Sequence, residues 1–311
     1  MRYLVTGAGG LIGSHLVERL LQEEQSVFAL VHRPSSVLAA FKGDLHTIQD
    51  DVMDATAMVQ VVDRVRPDVV FHLASQSLPM VAWEKPEWTC RVNISGTINL
   101  LEAICRIGIN PQVVVTCSSS EYASSTDGAP IAENSQMKPS SIYAVSKLAQ
   151  DHISRLYHEV KKLHIVRAMP FFVIGPRKRG DVCSDFSRGI VQIERGQSKE
   201  LLVGNMEMVR DFLDVRDGVA ALVRLALQGV PGEAYNICSG TGRRVADILA
   251  MLKGMAKVPI HERVDSSRFR LVDEPVRVGN PSKLLALGWS PSVAIETTLE
   301  QILEYWRTTE I

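Results

Sequence analysis

The segment Tyr143-Ala144-Val145-Ser146-Lys147 sets a phenol and an ammonium four residues apart, which on a helix brings both to one face. A free tyrosine, with a pKa of about 10, exchanges protons poorly near neutrality. A neighbouring ammonium favours the phenolate and would draw that pKa toward the working range. Upstream, Ser118-Ser119-Ser120 offers a hydroxyl for the same substrate oxygen. Such a group of residues can pass a proton to or from a carbinol while a nicotinamide handles the hydride. The Tyr-Lys spacing alone is weak evidence, because any exposed helix can hold it. It gains force from a glycine-rich stretch near the N-terminus, Thr6-Gly7-Ala8-Gly9-Gly10-Leu11-Ile12-Gly13.

Gly7, Gly10 and Gly13 punctuate a turn between an apolar strand and an amphipathic run. Glycine lets the backbone turn tightly and approach a pyrophosphate, which then rests on the N-terminus of the following helix, here opened by Leu11 and Ile12. Short apolar runs at 3–5, 26–31, 47–48, 69–73, 113–116 and 165–168 alternate with helical patterns at 11–23, around 59–62, and at 93–107 and 141–162. Strand–helix alternation with near-continuous apolar strands predicts an α/β fold, a doubly wound parallel Rossmann sheet binding its ligand at the carboxyl ends of the strands. After Gly175-Pro176 the pattern turns irregular, with helices at 186–194, 215–228 and 295–306, as in a smaller C-terminal α/β substrate domain. The expected division is 1–175 for the dinucleotide, with a return segment at about 211–240, and 176–210 plus 241–311 for the substrate.

The second strand ends Leu30-Val31-His32-Arg33-Pro34-Ser35-Ser36, with none of the acidic residues that usually bind both ribose hydroxyls of NAD. Arg33, aided by His32 and Ser35, suits a 2′-phosphate instead, so the expected cofactor is NADP(H). Asp51-Val52 fits an adenine contact, and Leu73-Ala74-Ser75 would lie beneath the cofactor.

Across 311 residues the net charge is −1, which gives no electrostatic case for nucleic acid or an anionic membrane. The five cysteines are scattered without CxxC pairs or metal-ligand spacing, so no metal is expected and a reducing cytoplasm suits the chain. Apolar runs such as Val113-Val114-Val115 are far too short to span a bilayer, and no secretory signal is read at the start.

The segments TGAGGLIG at 6–13, DVMD at 51–54, FHLASQS at 71–77, NISGT at 93–97, YAVSK at 143–147, RDFLDVRD at 210–217, YNICSG at 235–240 and LGWSP at 287–291 follow in order over nearly the whole chain. Together they resemble the extended short-chain dehydrogenase/reductase family, whose members act mostly on nucleotide-linked sugars. The best match is its GDP-mannose branch, the 4,6-dehydratases and the GDP-4-keto-6-deoxy-mannose reductases. The marks are Gly204-Asn205-Met206-Glu207-Met208-Val209-Arg210-Asp211, the HRPSS turn at 32–36, similar to an NADP-selecting turn, and the basic loop Gly175 to Gly180. The resemblance implies Ser118 as the hydroxyl, Tyr143 as the acid/base and Lys147 as the ribose-binding residue that tunes it. It implies Pro170 at the cofactor, and Ser77, Ser119, Phe172 and Arg177 at the substrate. It also implies Arg210 and Arg270 on the diphosphate, Asn205 on the nucleotide and Asp273 on its ribose, consistent with guanidiniums answering phosphates.

Two departures narrow the reading. Dehydratases of the branch carry Thr-Asp-Glu or Thr-Ser-Glu where this chain, aligned on Tyr122, has Ser118-Ser119-Ser120. Glu121 comes one place late, and consecutive extended residues face opposite ways. Phe172 replaces an asparagine that in the family meets the substrate phosphate. The expected activity is NADP(H)-dependent reduction of a GDP-linked 4-keto-6-deoxy sugar. The alternatives are a nucleotide-sugar 4-epimerase, then a 4,6-dehydratase, and outside enzymes an NADP-sensing regulatory protein. Related proteins pair the helices at 93–107 and 141–162 into a four-helix bundle, so a homodimer is expected, with a tetramer as the alternative.

Overall fold

The strands β1 (Arg2–Thr6), β2 (Ser26–Val31), β3 (Leu45–Gln49), β4 (Val69–His72), β5 (Gln112–Thr116) and β6 (Ile165–Pro170) form where β-branched and apolar residues run together. This computed structural model describes residues 1–125, 128–269 and 274–309. Arg270 and Asp273 lie outside the described residues. Two short strands, β7 (Phe172–Ile174) and β8 (Leu201–Val203), and the longer β9 (Val209–Asp214) follow before β10 (Ala234–Ile237) returns to pair with β6. The large sheet has seven parallel strands in the order β10-β6-β5-β4-β1-β2-β3. Strand order reverses between β1 and β4, which opens a crevice at their carboxyl ends.

Both faces of this sheet are covered. Helices Leu11–Gln22 and Val215–Gln228 pack on one side through Leu16, Leu20, Val219 and Leu222. Helices Ala55–Val65 and Gly96–Ile107 cover the other through Met58, Val62, Leu100 and Ile104. The long helix Ile142–Lys161 starts on its cap Ser141, whose Oγ accepts the Ala144 N–H at 3.1 Å, and ends at Lys162, in the left-handed region at φ 59°.

The remaining strands, β11 (Gly242–Arg244), β12 (Glu262–Val264) and β13 (Val276–Arg277), are two or three residues long. They build a small sheet β11-β9-β13, with β7 also on β9, and a pair β12-β8. Strands this short carry too few alternations to be read from sequence. Helices Val182–Glu194, Val245–Gly254 and Ile295–Thr308 close a separate apolar cluster over them. Asp217 ties the C-terminal segment to the large sheet's helix layer. Its carboxylate accepts from Ser292 N, Ser292 Oγ and Val293 N at 2.9–3.0 Å, while Trp289 Nε1 donates to its carbonyl. Among the described residues, no helix is long and apolar enough to cross a membrane.

Candidate active site

The crevice begins where β1 runs into the glycine turn. Gly7 has φ +66°, and a Cβ there would lie 2.7 Å from the Ala74 nitrogen. A Cβ on Gly13 would lie 2.3 Å from the Gly7 carbonyl oxygen. These two glycines are therefore required by the packing of strand, turn and helix. Gly10 is the N-cap of helix Leu11–Gln22 and no side chain caps it, so the opening amides, those of Leu11 and Ile12 among them, belong to the unsatisfied first turn that attracts anions. Thr6 Oγ1 accepts from Leu73 N at 3.2 Å and Ala74 N at 3.1 Å, fixing the crevice floor beside the turn.

Farther along the rim, His32 Nδ1 lies 3.3 Å from Asp51 Oδ2, and Arg33 is exposed. Ser35 caps the short helix Ser36–Ala39, accepting from Leu38 N at 3.4 Å. Val52 is buried, its carbonyl bound by Asn99 Nδ2 at 2.9 Å. Ser75 Oγ donates to Asn93 Oδ1 at 3.1 Å, and Pro170 is the half-buried last residue of β6. A backbone cradle that a Cβ would fill, an uncapped helix start and a cationic rim suit a dinucleotide. Such a cofactor, when bound, supplies or accepts hydride.

Ser118 caps a single 3-10 turn, Ser119–Glu121, directly after β5. Its Oγ accepts from Ser120 N at 3.1 Å and its own N–H donates to Glu121 Oε1 at 2.7 Å. That accepted bond fixes the Oγ beside the Tyr143 phenol. Tyr143, half-buried in the first turn of Ile142–Lys161, has its phenol beside the Ser118 side chain. Burial pushes the phenol up to about 12, the hydrogen bond to Ser118 opposes this, and the charges of Glu121 and Cys117 add to it.

Lys147 is buried, its Nζ donating to Thr116 O at 2.6 Å and Gln150 Oε1 at 2.7 Å. Burial lowers this ammonium to about 8, against the pull of Cys117 and Glu121. The expectation that Lys147 depresses the phenol is thus corrected: it points at the end of β5, and desolvation of the ring dominates. At neutral pH Tyr143 stays protonated and can donate.

Glu121 is fully buried, its Oε1 accepting the Ser118 N–H at 2.7 Å. Burial first, and then Asp151, hold its carboxyl well above the usual range. Asp151 itself is gripped by Arg167 Nη1 through both oxygens at 2.7 Å.

Two residues not expected from sequence organise this site. Asn93, buried in a π turn at Arg91–Ser95, accepts from Gln76 N at 2.8 Å and donates to Gln76 O at 3.1 Å and Ser146 Oγ at 2.9 Å. Ser146 Oγ then donates to Tyr143 O at 2.7 Å, so Asn93 links the loop after β4 to the tyrosine's turn. An asparagine inside an apolar helical pattern was the available signal. Arg277 on β13 is buried, donating to the carbonyls of Ser119 and, at 3.2 Å, Tyr122 while pairing with Glu274. Glu274 also accepts from Ser140 Oγ at 2.8 Å, just before the Tyr143 helix.

The expected substrate residues divide. Arg210 is buried on β9, donating to Val209 O at 2.9 Å and lying beside Arg277 and Arg243 in register. Asn205 Oδ1 accepts from Glu207 N at 3.1 Å in a local turn, and Ser77 is exposed after β4. Ser119 is buried with its carbonyl on Arg277. Arg177 pairs with Glu18 at 2.7 Å and lies over the Phe41 ring, bracing the first helix. The Phe172 ring packs edge-on to Phe212 at 5.5 Å with Lys178 Nζ over it.

The sequence matches the family described as GDP-mannose 4,6 dehydratase over residues 4–302. The chain belongs to that family. It is 30% identical to the GDP-6-deoxy-D-mannose reductase of Pseudomonas aeruginosa, covering 99% of this chain and 97% of the relative. The solved structure of RMD from Pseudomonas aeruginosa complexed with NADPH superposes with a TM-score of 0.85 at 29% identity, covering 99% of each chain. Thermus thermophilus UDP-glucose 4-epimerase in complex with NAD gives 0.90 at 27% identity, covering 100% of each. This protein is accordingly an enzyme of the extended short-chain dehydrogenase/reductase class, with a nucleotide cofactor and the Rossmann architecture expected from its sequence.

Tyr143→Phe retains the ring and its packing but removes the proton. Turnover is expected to fall roughly 10²–10⁴-fold with cofactor binding intact, as steady-state kinetics and cofactor titration would show. Near-full activity would contradict the assignment.

Proposed function

We propose that this enzyme reduces a GDP-linked 4-keto-6-deoxy sugar with NADPH. The observation that carries this reading is the geometry around Ser118: the carboxyl of that turn, Glu121, is buried with its Oε1 on the Ser118 N–H, and the Tyr143 phenol lies beside the Ser118 side chain. Ketone reduction needs a proton donor at the carbonyl oxygen. Removing water from a hexose also needs a base at C5, and Glu121 is poorly placed for that. Tyr143 would donate the proton, Ser118 would polarise the carbonyl, and Lys147 would hold the cofactor ribose. The similarity to a GDP-6-deoxy-D-mannose reductase supports the same substrate class. Structural similarity to a UDP-glucose 4-epimerase favours epimerisation as the second reading.

Arg33, exposed beside His32 at the end of β2, is the proposed 2′-phosphate partner and the reason for choosing NADPH. The portions 176–210 and 241–311 would hold the nucleotide diphosphate, with Arg210 on a phosphate. Arg270 and Asp273 retain their expected phosphate and ribose roles in this proposal. All five cysteines are free, which fits a cytoplasmic enzyme. Val145, Leu156 and Val160 form an exposed apolar stripe on helix Ile142–Lys161, and this face is the proposed homodimer contact. Sedimentation velocity should return a dimer, and Leu156→Glu should weaken it; a monomer at micromolar concentration would rule out this interface.

Losing a charge-assisted contact costs about 1.5–3 kcal/mol, so Arg33→Ala should weaken NADPH about tenfold or more and leave NADH nearly unchanged. Equal titration curves for both cofactors in the unaltered enzyme would contradict the assignment. In competition against the sugar nucleotide, GDP should outcompete UDP, dTDP and CDP. A clear preference for UDP would favour the epimerase reading.

A further inference from the structure

Lys147 is connected to the floor of the nucleotide turn by an unbroken run of buried hydrogen bonds. Thr6 Oγ1 meets His72 Nδ1 at 2.9 Å, His72 Nε2 meets Thr97 Oγ1 at 2.9 Å, and Gln150 Nε2 donates to Thr97 Oγ1 at 2.9 Å. Gln150 Oε1 then accepts from Lys147 Nζ at 2.7 Å. All five side chains are buried.

The donors and acceptors fix one direction for the whole run. An ammonium can only donate, so Gln150 must present its oxygen to Lys147 and its amide N–H to Thr97. Thr6 Oγ1 already accepts two amides, from Leu73 and Ala74, and so gives its proton to His72 Nδ1. His72 is therefore the Nε2–H tautomer and donates to Thr97, which passes its own proton to Asn93 O at 2.7 Å. Each link in the run thus has one donor and one acceptor, and none can be reversed without breaking its neighbour.

We propose that Gln150 is a positioning residue for Lys147, held in register with the nucleotide turn through Thr97, His72 and Thr6. This rests on the reading that Lys147 holds the cofactor ribose. Of the ammonium's three N–H bonds, Thr116 O and Gln150 Oε1 take two, and so aim the third. Removing Gln150 leaves one anchor and lets the ammonium swing. The titratable groups facing Lys147 are Cys117 and Glu121 at the end of β5 and His72 on β4; helix Gly96–Ile107 contributes the neutral Thr97. His72, held down to about 3 by burial, stays neutral across the working range. Lys147, lowered to about 8 by burial, is charged below that pH and loses its proton as pH rises through it.

The test compares Gln150→Leu and Gln150→Glu in the full-length enzyme, measuring NADPH affinity and the pH profile of kcat/KM, with circular dichroism and a thermal melt as fold controls. Gln150→Leu should weaken NADPH roughly tenfold and move the alkaline limb to lower pH. Gln150→Glu, which sets a carboxylate against the ammonium, should move that limb to higher pH. Opposite shifts are not what a loss of packing produces, and Gln150→Glu decides the matter if Gln150→Leu fails to fold. Thr97→Val should lower affinity on its own but add little to Gln150→Leu. Unchanged limbs, shifts of the same sign, or fully additive effects of Thr97→Val and Gln150→Leu would each overturn the proposal. Lys147→Ala separates the two levels: if it loses NADPH binding and turnover while the Gln150 variants behave as wild type, only the positioning role falls. If Lys147→Ala is itself fully active, the underlying reading falls with it.

Discussion

Lys147 carries its ammonium into the interior at the carboxyl end of β5, where an unpaired charge would cost several kcal/mol. The strands around it are largely apolar, so the groups that accept from it come from a strand end and a neighbouring side chain. Thr116 gives a carbonyl at its strand's end, and Gln150 a side-chain oxygen from the same helix. Satisfying Gln150 in turn draws in Thr97, His72 and Thr6, and Thr6 holds the turn after β4. The burial of one charge thus links the glycine turn, the crevice floor and the tyrosine's helix.

A second constraint holds the serine. The reciprocal hydrogen bonds between Ser118 and the turn it caps hold its hydroxyl beside the Tyr143 phenol, with Glu121 Oε1 on the Ser118 N–H. Arg277 reaches from the small sheet to the carbonyls of Ser119 and Tyr122, and Arg210 lies beside it in register. In the proposed function, a diphosphate on Arg210 would sit one strand away from the group that holds the catalytic turn. The two parts of the chain meet at this point through backbone carbonyls and a guanidinium, which is a directional contact.

Much of this was legible from local pattern. The apolar runs gave the strands of the large sheet, the spaced glycines gave the turn, and Tyr143 with Lys147 gave a helix face. What escaped depends on contacts between residues far apart in sequence. Nothing near Arg277 says that it will meet Ser119, and nothing near Arg177 says that it will pair with Glu18. The phenol's acidity was misjudged for the same reason. Spacing places Lys147 on Tyr143's face but cannot report that Thr116 and Gln150 claim the ammonium, or that burial dominates the ring. Alternation of extended residues does not hold at Glu121, because Ser119–Glu121 is a 3-10 turn; what holds this side chain is the Ser118 N–H, which donates to its Oε1.

The most direct measurement is transfer of deuterium from NADPH labelled at the transferable C4 position, with GDP-4-keto-6-deoxymannose as substrate, followed by absorbance and mass spectrometry. One equivalent of cofactor should be oxidised for each sugar nucleotide reduced, with the label at C4 of the sugar. Interconversion of sugar nucleotides without net oxidation of the cofactor, or binding without any transfer of label, would contradict the reductase account.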